Sequence, residues 1–160
     1  MTGCAWQPAA FPVPAQRQAL VDFSPVGPFV EMGSPAAPAY IVGDVAGAVG
    51  NPWRWTFARP ELRFQVPPGA NLRFVLDFGI VPATFAETGP VVLSVSLDGK
   101  LLGRMRCLEP GDRRFESRVP EGWLTAGQIV TVTAEVDRRY VAPADGQQLG
   151  YTLWRAGFLP

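Results

Sequence analysis

The chain has 160 residues with 17 Gly and 17 Pro, no His, and 14 basic residues against 14 acidic ones. That length suits one domain burying about 70% of the surface its unfolded form exposes, a core that needs no disulfides, while the Gly and Pro load excludes long helices. Zero net charge provides no field to gather nucleic acid or anionic lipid, and the missing His removes the commonest general base, the commonest metal ligand and every His-containing triad.

Residues 1–19 form an irregular lead-in to a single domain over 20–160. Apolar residues there are broken by Pro8, Pro12 and Pro14, with no basic n-region and no continuous apolar core, so no signal peptide is expected. Nor does any stretch provide an uninterrupted apolar span long enough for a membrane helix. Cytoplasm is therefore the expected location. Cys4 and Cys107 are the only cysteines, too few for a disulfide framework or a zinc site; a half-buried, unpaired Cys107 is the expectation.

From Leu20 to Val49 turn residues separate short apolar pieces, Val21 to Ser24 and Ala39 to Val42, which suit edge strands. Trp53, Trp55 and Phe57 then alternate with Arg54 and Thr56. After a turn at Pro60, Leu62, Phe64 and Val66 alternate with Arg63 and Gln65. A period of two gives a strand one apolar and one polar face. Leu72, Phe74, Leu76 and Phe78 form the clearest such run, followed by a long connection from Gly79 to Pro90. Val91 to Leu97 and Lys100 to Leu108 flank Asp98-Gly99, a hairpin signal. Glu109 to Asp112 turns the chain into Phe115 to Val119, Gly122 to Gly127 crosses irregularly, and Ile129 to Val136 and Gly150 to Phe158 close the sequence of strands.

Seven to nine strands without helical repeats indicate an all-β, antiparallel two-sheet β-sandwich, with a jelly roll preferred over immunoglobulin-like connectivity. The expected core is Leu62, Phe64, Leu72, Phe74, Leu76, Leu93, Val95, Val130, Val132 and Leu153.

The stretch Gly89 to Gly103, the Val132 to Asp137 segment and the phrase Pro143-Ala-Asp-Gly-Gln-Gln-Leu-Gly150 resemble small β-sandwich domains that accompany bacterial surface-polysaccharide glycosyltransferases and methyltransferases. The resemblance spans Trp53 to Phe158. It implies a glycan-related setting, places the Pro143 to Gly150 phrase between the last two strands and carries no catalytic residues.

Aromatic rings stack on the apolar faces of sugars while carboxylates and guanidiniums take the hydroxyls. Trp53 and Trp55 point to one side of a strand, as a platform if that side is open and as core, the commoner fate, if it is not. Trp123 lies in a loop. Trp154 faces opposite to Leu153 and adds nothing to the binding reading. Outward polar positions add Arg73, Asp77 and Glu135, with Arg63, Gln65, Thr131 and Thr133 beside them if their strands are neighbours; cross-strand charge pairing explains the same pattern without a ligand.

The loop after Glu135 adds Arg139 and Asp145. Asp137 and Asp145 make a poor calcium site beside Arg138 and Arg139, so Asp145 capping its own backbone is the plainer account. Asp77 and Glu135 are the single carboxylate pair on regular strands to consider for glycoside hydrolysis. Phosphate-loop, dinucleotide and nucleophile-elbow motifs are absent. A non-catalytic glycan-binding module is therefore expected, with a protein-interaction or homodimeric β-sandwich as the alternative. No cofactor, metal, nucleic acid or membrane partner is called for.

Overall fold

The computed structural model describes residues 26–47 and 50–160. The lead-in expected over 1–19, with Cys4 and Trp6, and the Val21 to Ser24 piece lie outside the described residues. In chain order the elements are β1 (Phe29–Glu31), α1 (Ala37–Tyr40), β2 (Ile41–Val45), β3 (Arg54–Gln65), β4 (Arg73–Ile80), α2 (Pro82–Thr88), β5 (Val91–Leu97), β6 (Lys100–Cys107), β7 (Gly111–Arg118), β8 (Ile129–Val136), β9 (Tyr140–Val141), β10 (Gln148–Leu149) and β11 (Thr152–Leu159).

Alternation of apolar and polar side chains sets the layers. One sheet runs β6-β5-β8-β3-β2 and the other β7-β4-β11, with β1 and the first residues of β3 both on the far side of β11. Every pairing is antiparallel. Because β3 begins against β11 at Trp55↔Thr152 and ends against β8 at Gln65↔Ile129, it stitches the two sheets into a nearly closed, jelly-roll-like sandwich.

Between the sheets Phe64, Phe74 and Phe158 meet with ring centroids 5.3 to 6.1 Å apart, and Phe78 packs on Tyr151 at 5.4 Å. Of the expected core, Leu72 alone is half-buried, at the rim. Cys107 is fully buried rather than half-buried, because it ends β6 on the inner face opposite Val91.

Asp98 and Gly99 both have positive φ, 45° and 80°, as the mirror-image two-residue hairpin turn requires. Pro60 makes no turn: it is buried within β3, in a bulge between the Val45↔Thr56 and Gly43↔Glu61 pairings, where a missing N–H costs no ladder bond. The connection expected from Gly79 to Pro90 is shorter than the sequence suggested. β4 continues to Ile80, and α2 fills most of the remainder, with Pro82 at its start and Gly89 at its C-cap with φ 66°. No helix of the described residues is long and apolar enough to cross a membrane.

Candidate functional site

The outer face of the β7-β4-β11 sheet carries two rows of side chains directly opposite one another across strands. One row runs Trp55, Thr152, Gly79, Asp112; the next runs Glu31, Arg155, Asp77, Arg114. Small residues at the centre of the first row leave a depression between the indole of Trp55 and the carboxylate of Asp112. Gly79 has to be small: a Cβ there would lie 2.7 Å from Thr152 Oγ1 and 3.0 Å from Asp112 Oδ1.

A bulge completes the site. Between Leu153↔Phe78 and Arg155↔Asp77 the ladder advances one residue on β4 and two on β11, so Trp154 is the extra residue and joins Arg155 on the outer face. Its carbonyl accepts the Met32 N–H at 2.8 Å, which ties the bulge to the end of β1. Trp53 and Trp55, 6.1 Å apart and edge-to-face, stand half-exposed beside it.

The result is a groove of two hollows. One, of about 540 Å³, is bounded by Glu31, Asp77, Arg113, Arg114 and Arg155; the other, of about 320 Å³, by Trp53, Trp55, Ile80, Val81 and Pro82. Asp112 and Trp154 line both.

At the polar end Asp77 accepts Arg114 Nε and Nη2 at 2.6 and 2.8 Å and Arg155 Nε at 2.5 Å. The Arg114 hydrogen bond outweighs desolvation, and with Arg155 it holds the Asp77 carboxyl below the usual carboxylate range. Asp77 is thus a fixed anion at neutral pH, fit to accept hydroxyl protons as hydrogen bonds and unfit to act as a general acid.

The sequence expectations divide accordingly. Trp53, Trp55 and Asp77 come together in the groove. The Trp53 and Trp55 side is the outer one, and the reason is that β3 buries its polar side here. Arg54 is satisfied by the carbonyls of Met32 (3.0 Å) and Ala46 (3.1 Å), and the Thr56 hydroxyl donates to the Tyr151 carbonyl and accepts its N–H.

Arg73 lies on the same face but beyond the hollows, bound to Glu116 and to the Pro160 carbonyl. Trp123 packs on the margin of the core, 5.7 Å from Lys100 Nζ. Glu135 is exposed on β8, in the opposite sheet, so it makes neither a shared polar surface nor a carboxylate pair with Asp77. Arg63, Gln65, Thr131 and Thr133 also belong to that second sheet.

Arg139 is a structural clamp, donating to Gln148 Oε1 and to the carbonyls of Ala58 and Val136. Asp145 Oδ1 accepts the Gln147 N–H, the expected self-cap, while Asp137 Oδ1 accepts the Val92 N–H. The Pro143 to Gly150 phrase therefore supplies the turn after β9, β10 itself and the approach to β11, and its last glycine passes within 2.8 Å of Thr56 Oγ1, measured from where a Cβ would sit. Sequence reasoning missed Trp154, Asp112, Arg114, Arg155 and Glu31. Leu153-Trp154-Arg155-Ala156 does hold two consecutive polar-face residues between apolar ones, which is the trace of the bulge.

No protein-family model matches the chain, and no curated protein matches it in sequence. Solved structures similar to it include a CBM35 domain from Paenibacillus barcinonensis, 11% identical with a TM-score of 0.44, covering 84% of this chain and 99% of that one. Another is a family 35 carbohydrate binding module from Clostridium thermocellum, 11% identical with a TM-score of 0.41, covering 74% and 85%. A third holds the M60 catalytic domain and CBM51 domains of a Clostridium perfringens protein, 15% identical with a TM-score of 0.38. It matches 66% of this chain, which spans only 10% of that one.

The first two are carbohydrate-binding modules and the third pairs such modules with a catalytic domain, a different setting from the glycosyltransferases and methyltransferases of the sequence resemblance. The cytoplasmic expectation does not stand either: it rested only on missing apolar segments, and the lack of a membrane-length helix among the described residues assigns the chain to no compartment.

Proposed function

We propose that this domain is a non-catalytic glycan-binding module whose binding face is the groove on the β7-β4-β11 sheet. The observation that carries the reading is the trio of Trp53, Trp55 and Trp154 lining a hollow together with Gly79 and Thr152, with Asp112 shared with an adjoining hollow lined by Glu31, Asp77, Arg114 and Arg155. Indoles supply flat apolar area for pyranose faces at little entropic cost, and the polar row supplies acceptors and donors for hydroxyls. Asp77 is not set up for turnover: Arg114 and Arg155 lock it as an anion, and the chain has no His to share its work. Bacterial surface polysaccharide is the glycan class favoured by the phrasing of Gly89 to Gly103 and Pro143 to Gly150.

The test is an array of bacterial surface polysaccharides and oligosaccharides, with hits followed by Trp fluorescence on the wild type and a Trp53→Ala, Trp55→Ala double variant. Saturable binding that the double variant loses supports the reading. A silent array together with a stable dimer sinks it in favour of an interaction domain, and appearance of product sinks the non-catalytic part.

A further inference from the structure

The indole N–H of Trp154 is buried, and among the described residues it has no hydrogen-bond partner. Buried donors left unpaired cost free energy, and in a groove the natural remedy is a ligand atom. Thr152 Oγ1 lies 2.7 Å, Asp112 Oδ1 3.0 Å and Trp154 Nε1 3.4 Å from the point where a Cβ of Gly79 would sit, so a hydroxyl that already donates to the Gly79 carbonyl, a pure acceptor and a pure donor converge over one glycine. Both residues line both hollows, which makes this point the junction of the groove.

The chemistry of the junction is selective. A carboxylate or phosphate accepts from Trp154 but is repelled by Asp112, whereas an ammonium donates to Asp112 and cannot accept from an indole. A hydroxyl does both at once. The polar hollow adds no bias toward charge, since Glu31, Asp77 and Asp112 balance Arg113, Arg114 and Arg155. The second hollow is walled by Trp53 and Trp55 and offers a stacking surface of its own.

Building on the glycan-binding reading, we propose that the ligand is a neutral oligosaccharide of at least two units. One unit stacks at the Trp53 and Trp55 hollow, the next lies over the Asp77 row, and a hydroxyl near the linkage is fixed between Trp154 Nε1 and Asp112. Trp154 and Asp112 are the residues that set this specificity.

Equilibrium titration of the whole domain tests it, using neutral mono-, di- and trisaccharides of glucose, galactose, mannose and N-acetylglucosamine, the matching uronic acids, and deoxy analogues of whichever disaccharide binds. The expected results are a disaccharide affinity at least about tenfold above the monosaccharide and no gain for uronic acids. Trp154→Phe, which keeps a ring and deletes the N–H, should lose about tenfold, the scale of one hydrogen bond. One deoxy analogue should bind wild type and Trp154→Phe equally, a coupling that a merely structural role does not produce. Asp112→Asn, at an exposed position that leaves the fold intact, should also weaken the disaccharide. Equal affinity for mono- and disaccharide, tighter uronic acids, or wild-type binding by both variants overturns the inference while leaving the glycan reading standing. Failure of every saccharide overturns both.

Discussion

Tyr151 shows how much a single polar atom decides at the residue scale. Its ring packs on Phe78 inside the sandwich and its hydroxyl donates to the Ala134 carbonyl at 2.7 Å, so burial pushes its ionisation far above the ordinary tyrosine range. A folded-state pKa raised above the unfolded value means that the contribution is whole below about pH 10, and is lost as pH rises because the unfolded chain alone sheds the proton. Thermal midpoints followed from pH 7 to 11 should fall steeply for wild type and more gently for Tyr151→Phe, whose cost at pH 7 is about 1 kcal/mol. Equal slopes would mean that other groups set the alkaline limit. Phe74, fully buried among Phe64 and Phe158, should cost about 3–5 kcal/mol as Ala in denaturant melts. The position of Phe74 was legible because Leu72, Phe74, Leu76 and Phe78 recur at every second position, with Val75 the one apolar residue between them. The outward setting of Trp53 and Trp55 was not, because hydrophobicity ranks Trp above Arg and Thr, and only the carbonyls of Met32, Ala46 and Tyr151 make the reverse burial favourable.

Among the elements, those specified by local pattern were readable: β5, β8 and the Asp98-Gly99 hairpin follow from period and turn chemistry alone. Elements specified by a neighbour were not. Trp154 leaves the alternation of β11 because β1 holds its carbonyl, and Pro60 stays within β3 because a bulge opposite Asp44 absorbs it. β1 itself depends on one glycine. At Gly157 φ is 151°, and a Cβ would stand 2.3 Å from the Pro28 carbonyl oxygen and 2.5 Å from Phe29 Cα, backbone that has nowhere to go without breaking the β1–β11 pairing. Gly157→Ala should therefore destabilise the domain by about 1–3 kcal/mol. It should also raise amide exchange at Phe29 to Met32 more than at β5 or β8. Uniform acceleration across all strands would show that β1 is not a separate unit. Because the Trp154 bulge leans on Met32, the same variant should weaken sugar binding without touching a groove residue.

For the whole molecule, charge balance sets the character of recognition. Fourteen basic and fourteen acidic residues leave no net field, and the six charged side chains of the polar hollow cancel one another locally. Screening acts over about 10 Å at 0.1 M salt and weakens exposed charge attraction at longer range, so a neutral ligand held by stacking and short hydrogen bonds feels little of it. Among the described residues no group of three or more His, Cys, Asp or Glu is placed to hold a metal ion, and the two aspartates first considered for calcium spend their carboxylates on the Val92 and Gln147 amides. Saccharide affinity should consequently change by less than about twofold between 0.05 and 0.5 M salt, and should be unaltered by chelator. Titrations of one disaccharide under those conditions decide the matter. A steep loss with salt would relocate recognition to an anionic sugar at Arg114 and Arg155, and a loss with chelator would place a cation in the binding face.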